Sequence, residues 1–201
     1  MKKGDLTRQG IVAEAAQIFS KNGFAGTSLG DLMNATQLTK GGIYNHFGSK
    51  EQLALESFDY ASELTRQRLS ERLTGVHHSA DRLKAVVDVF RSLIEQPLLE
   101  GGCILLTTAV EADDTNPALR ERAQNAMDEW RAYITRTVTR GIEKGQLRSD
   151  VDAGTVTSLM LASLEGAVML SKLYDDASHM QRIGDFLTTY IDSITLQQES
   201  E

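Results

Sequence analysis

One cysteine, Cys103, stands in the whole chain, so no disulfide can close within it. A lone thiol fits a reducing compartment, and the cytoplasm is the expected location. Proline is nearly as scarce, at Pro97 and Pro117 only, which leaves long stretches free of the residue that breaks helices. No run approaches the ~20 uninterrupted apolar residues that a membrane-spanning helix needs. No apolar segment follows the N-terminal lysines as a secretory signal requires. No membrane partner is therefore expected. Other patterns of catalysis are missing too: there is no Walker loop or di-iron carboxylate set. Nor is there a Cys-x-x-Cys, His-x-x-x-His or Glu-x-x-His for a metal. An enzyme is not expected, nor a cofactor or metal site. His77 and His78 read as connector residues.

Ala, Leu, Glu, Arg and Gln are abundant, and all favour helix. With 41% hydrophobic and 24% charged residues, the composition is that of a globular domain. The net charge is −7, an odd figure for a nucleic-acid binder until it is divided. Residues 1–50 carry six basic and three acidic side chains, or +3; the rest carry 15 and 25, or −10. A mildly basic head on an acidic body presents one end to phosphate.

The stretch from Thr27 to Gln52, TSLGDLMNATQLTKGGIYNHFGSKEQ, organises that head. Ser28 is placed to cap a helix whose apolar side is Leu29, Leu32 and Met33. Thr36-Gln37-Leu38 makes a turn. Thr39 caps a second short helix, Lys40 to Phe47, in which Ile43 and Phe47 lie four apart and face inward. Thr39, Lys40, Gly41, Tyr44, Asn45 and His46 are left pointing outward. A short polar face, cationic at one point and aromatic at another, suits a helix entering the DNA major groove end-first. A bare helical interaction module does not account for such a face preceded by a basic arm.

Within it, LTKGGIYNHFGSKEQL resembles the signature of the TetR/AcrR family of bacterial transcriptional regulators, with Lys40, Gly41, Ile43, Tyr44, His46, Phe47, Lys50 and Leu53 at matching places. One position departs: the family usually has glycine in the turn where this chain has Gln37. A left-handed non-glycine residue there costs on the order of 1 kcal/mol. The resemblance implies an all-α protein of about nine helices. Residues 1–48 would form a three-helix head with the helix-turn-helix, and residues 49–201 a helical-bundle body for effector binding and dimerisation.

Elsewhere the pattern is helical throughout. Gly4 to Asn22 forms a first helix with Ile11, Ala15, Ile18 and Phe19 on one face and Gly23 as its stop. Lys2, Lys3 and Arg8 are placed to reach backbone phosphate, although Lys2 and Lys3 read equally as a solvated tail. Ser49 to Gln52 makes a capping box for a long helix running to Gly75. Lys50 in its first turn opposes the helix dipole, which favours a phosphate neighbour. Ser79 or Asp81 caps the next helix, which ends at Pro97. A short helix spans Ile104 to Glu111. Asn116 and Pro117 open a long one, after the turn Asp113-Asp114-Thr115, and Gly141 and Gly145 mark its end. Asp152 to about Tyr174 is the least polar segment, and a last helix carries Ile183, Phe186, Leu187, Tyr190, Ile191 and Ile194.

The expected DNA-contacting set is Thr27, Ser28, Thr39, Lys40, Gly41, Tyr44, Asn45, His46 and Lys50. The last two helices resemble the family's dimer-forming pair, though their apolar faces fit closure of the monomer core equally well. A homodimer implies a palindromic operator in double-stranded DNA. The resemblance also implies an unidentified small-molecule effector, and large apolar residues mark a lining for it: Phe58, Phe90, Leu106, Met127, Trp130 and Met160. Cys103 joins that set under two readings. It is a small hydrophobe beside Ile104 to Leu106, or, near a helix N-terminus, a thiol sensor of oxidants or electrophiles, as in some members of the family.

Overall fold

The computed structural model describes residues 3–111 and 116–196, with side chains from residue 8 onward. The expected turn at Asp113–Thr115, the side chains of Lys2 and Lys3, and the tail from Gln197 lie outside the described residues. Nine helices are present among the described residues: α1 (Lys3–Gly26), α2 (Leu29–Thr36), α3 (Lys40–His46), α4 (Lys50–Arg72), α5 (Ser79–Glu95), α6 (Ile104–Glu111), α7 (Pro117–Glu143), α8 (Ala153–Tyr174) and α9 (Ser178–Ser193). The all-α architecture expected of the sequence is thus the one observed. The one strand-like feature described is an isolated antiparallel bridge between Leu147 and Thr195.

Local chemistry sets most of the boundaries. Asn116 caps α7, its Oδ1 accepting from the Leu119 N–H at 3.1 Å, with Pro117 in the first helical position. Asp152 caps α8 by accepting from the Thr155 N–H at 2.6 Å. At α5 the expectation of Ser79 or Asp81 fails. His78 is the cap, its Nδ1 accepting from the Ala80 N–H at 3.2 Å, a role that standard cap preferences do not flag. The helix begun at Lys50 ends at Arg72, short of Gly75. Gly141 stands in the last turn of α7 and Gly145 follows it with φ 62°, as expected of the helix end; Leu147 and Ser79 pack where a Gly141 side chain would stand.

Packing divides the chain into two units, one of residues 1–64 and 98–126, the other of residues 65–97 and 127–201. α6 and its flanking chain thus belong to the first unit, with α1 to α3. In the first unit, α1 lies against both α2 and α6. Ile11, Val12, Ala15, Ala16 and Phe19 are buried on one face of α1, while Ile18 is half-buried at the edge of that face. Leu32, Ile43, Phe47, Leu53 and Phe58 complete this core. Burial of side chains this size contributes roughly 1.5–3 kcal/mol each.

The second unit is built on α5, α8 and α9, which pack pairwise. Leu83, Val86, Val87 and Phe90 of α5 are buried, as are Val156, Met160, Leu164 and Val168 of α8 and Leu187 and Ile191 of α9. Arg91 of α5 crosses the bare backbone of Gly184 to reach Asp185 at 2.7 Å. By length and hydropathy alone α8 is apolar enough to cross a membrane, but its buried residues face the partner helices of this unit. Another apolar set is left outward: Met169, Leu173 and Tyr174 on α8 and Phe186 on α9 are exposed.

Candidate nucleic-acid interface

The helix-turn-helix is fixed by its caps. Ser28 Oγ accepts from the Asp31 N–H at 3.2 Å, and the Asp31 carboxylate accepts from the Ser28 N–H and hydroxyl, both at 2.7 Å. This is a complete capping box, with Asp in the place usually held by Glu. The two Ser28 donors hold the Asp31 carboxyl below the ordinary carboxylate range, against a small opposing desolvation. The box therefore stabilises α2 fully above that ordinary range, and its contribution is lost as pH falls through the lowered value. Ser28→Ala is expected to cost about 1 kcal/mol at neutral pH. Thermal melts from pH 7 down to pH 3 should show the wild-type advantage shrinking as Asp31 takes up its proton.

The turn residue Gln37 is left-handed, with φ 56°, and its amide donates to the Asn34 carbonyl at 2.5 Å. That side-chain bond offsets part of the cost of placing a non-glycine residue there. Thr39 then caps α3, its Oγ1 accepting from the Gly42 N–H at 3.1 Å. Ile43 and Phe47 are each 1% exposed and root α3 in the core. The remaining positions face out as expected: Thr39, Lys40, Gly41, Tyr44 and Asn45 are exposed and His46 is half-buried. Lys40 Nζ lies 5.9 Å from the centre of the Tyr44 ring. The Thr39 hydroxyl keeps its hydrogen for an outside acceptor.

Three expected contacts are spent differently. Thr27 is 1% exposed, and its hydroxyl donates to the Gly23 carbonyl at 2.6 Å. It braces the turn instead of facing outward. Arg8, expected near phosphate, forms an ion pair with Glu56 and lies 4.5 Å from the Phe47 ring centre. Lys50 donates to the Phe24 carbonyl at 2.7 Å and sits 4.3 Å from that ring's centre. Partial burial pushes the Lys50 ammonium down, while the Glu111 and Asp31 charges pull it back up. A cation at this helix N-terminus thus has intramolecular reasons to be there. Ser28 is exposed, with its hydroxyl engaged in the capping box.

The expected effector residues fall in separate units. Phe58 is buried in the first, where Cys103 and Leu106 are half-buried on or beside α6. In the second, Phe90 meets Trp130 edge-to-face at 5.5 Å, Met127 is half-buried and Met160 is fully buried. Tyr133, one turn after Trp130, has a buried hydroxyl, and desolvation raises its pKa.

A short capped helix that follows a tight turn and shows an outward polar, cationic and aromatic face defines a helix-turn-helix DNA-binding protein. Residues 11–56 match the family described as bacterial regulatory proteins, tetR family, and residues 79–187 match the tetracyclin repressor-like C-terminal domain. A TetR transcriptional regulator from Chloroflexus aurantiacus J-10-FL is 48% identical, with 98% of this chain and 100% of that one covered at a TM-score of 0.94. A TetR-family regulator from Cytophaga hutchinsonii is 32% identical over 98% and 99% of the two chains, at a TM-score of 0.89. The transcriptional repressor DhaR of Mycobacterium sp. (strain GP1) is 25% identical over 96% of this chain and 94% of its own length. The chain belongs to the TetR family of bacterial transcriptional regulators.

Proposed function

We propose that the protein is a cytoplasmic dimeric repressor that leaves a palindromic operator when a small-molecule effector binds its C-terminal helices. The observation that carries the DNA reading is the outward face of α3, where Thr39, Lys40, Tyr44 and Asn45 stand exposed above a buried Ile43 and Phe47. Lys40 meets a guanine edge or a phosphate; Tyr44 and His46 meet phosphate; Thr39 and Asn45 add smaller polar contacts. Residues 1–48 read the DNA, and residues 49–201 carry the effector site and the dimer interface. The apolar side chains left outward on α8 and α9 support a two-fold pairing through those helices. Two heads on one axis place their recognition helices in successive major grooves. Half-buried Trp130, set edge-to-face on Phe90, and half-buried Met127 support a flat or apolar effector. By mass action, that effector must bind the released state more tightly than the DNA-bound one.

Selection of bound duplexes from a random pool, followed by footprinting, tests this reading. A two-fold symmetric site about one helical turn between half-site centres is expected; enrichment without symmetry contradicts the dimer arrangement.

The half-buried Cys103, immediately before α6, supports a second reading in which oxidation or alkylation of the thiol replaces effector binding. Cys103→Ser separates the two. The effector-bound reading predicts an unchanged operator affinity and an unchanged response to a peroxide or electrophile challenge. Loss of such a response on substitution establishes the thiol switch.

A further inference from the structure

The chain leaves the regular part of α1 at Gly23, with φ 74° and ψ 172°, and enters α2 at Ser28. Between these points four backbone polar groups are claimed by side chains. The Gly23 carbonyl accepts from the Thr27 hydroxyl at 2.6 Å, and the Phe24 carbonyl accepts from Lys50 Nζ at 2.7 Å. The Phe24 and Ala25 N–H groups both donate to one carboxylate, that of Glu111, at 2.7 and 3.1 Å. Glu111 is the last residue of α6, more than 80 positions away in sequence. A side chain at position 23 would stand 2.4 Å from the Glu111 Oε1, so the carboxylate occupies the space that the bare Gly23 leaves.

We propose that Glu111 is a positioning residue for DNA recognition, holding the entrance of the helix-turn-helix. The proposal rests on the DNA-binding reading above. Two successive N–H groups turned toward one carboxylate make a charge-assisted pair of hydrogen bonds, about twice as strong as neutral ones. Lys50 approaches the same segment from the far end of the motif, since it opens α4 directly after α3 and its flanking turn. Phe24, between the two charges, also stacks on Phe19 of α1 at 6.1 Å. Glu111 and Lys50 thus clasp residues 23–25, and the helix-turn-helix is bracketed at both ends by one node. Without Glu111, two backbone donors lose their anion and Lys50 loses a neighbouring countercharge, so the entrance angle of α2 is released. The consequence for DNA is a recognition helix displaced on an otherwise intact core.

Amide hydrogen exchange by mass spectrometry on the full chain tests this, with duplex affinity measured in parallel. Glu111→Ala is expected to speed exchange across residues 24–49 by about tenfold, while residues 153–193 keep wild-type rates. Its affinity for the duplex that wild type selects is expected to fall by a similar factor. Glu111→Gln retains one acceptor oxygen and should fall between the two, a graded rescue that simple loss of packing does not produce. It also carries the comparison if Glu111→Ala does not fold. Unchanged exchange at 24–49, or an equal rise over 153–193, overturns the proposal. If wild type selects no duplex, the DNA-binding reading has failed, and the exchange result alone decides the role of Glu111.

Discussion

Lys40→Ala is expected to weaken operator binding at least a hundredfold while leaving the melting temperature and the oligomeric state unchanged. Lys40 is exposed on the first turn of α3, and its ammonium lies 5.9 Å from the centre of the Tyr44 ring. Removing it opens no cavity and strands no buried partner, so the folded state loses little. A dimer loses the contact twice, and a charge-assisted hydrogen bond contributes about 1.5–3 kcal/mol, which makes the combined loss roughly 3–6 kcal/mol. If Lys40 meets phosphate, the variant binds all duplexes more weakly and the salt slope falls by roughly one per recognition helix. If it reads guanine, specificity relaxes at one position of each half-site. An unfolded or dissociated variant would refute this assignment of Lys40 to the DNA face.

The second large effect is on folding. Gly101→Ala is expected to destabilise the protein by about 3 kcal/mol or more, since an added Cβ would stand 1.7 Å from the Ser20 carbonyl oxygen. The obstacle is backbone, which no rotamer change relieves. Around this contact the 98–100 segment is tied to α1 by a reciprocal pair: Gln17 Nε2 donates to the Leu98 carbonyl at 3.4 Å, and the Glu100 N–H donates to Gln17 Oε1 at 3.1 Å. Lys21 pairs with Glu100 at 3.0 Å just beyond. The substitution therefore forces two tied segments apart. For a chain of this size the melting temperature should drop by roughly 6–12 °C. Gly10→Ala is the control: nothing lies within 4 Å of the new methyl, and the helix interior gains roughly 0.5–1 kcal/mol. Equal melting temperatures for Gly101→Ala and wild type would show that the close approach does not exist in solution.

Features set by neighbours in sequence were legible from it. Ser28, Thr39 and Asn116 cap as their residue types and spacing predict, and Ile43 and Phe47 are buried as the four-residue interval requires. The left-handed turn at Gln37 followed from the family resemblance, which places glycine at that position. Features set by pairing across the fold were not. Arg8 belongs to Glu56, Lys50 to Phe24 and Glu111 to the backbone at 24 and 25, and no local pattern marks any of these pairs. Thr27 carried a polar side chain into a DNA-binding motif, yet burial turned it to the Gly23 carbonyl. The membership of α6 in the head unit was hidden for the same reason, since a periodic pattern names a buried face without naming what covers it.

Titration of the purified protein on the DNA immediately upstream of its own gene, across a salt series, tests the regulatory reading most directly. The predicted result is saturable binding at two protomers per site, with log affinity falling linearly against log salt by ~0.9 per phosphate neutralised. Binding no tighter than to a scrambled duplex, at every salt concentration, would contradict it.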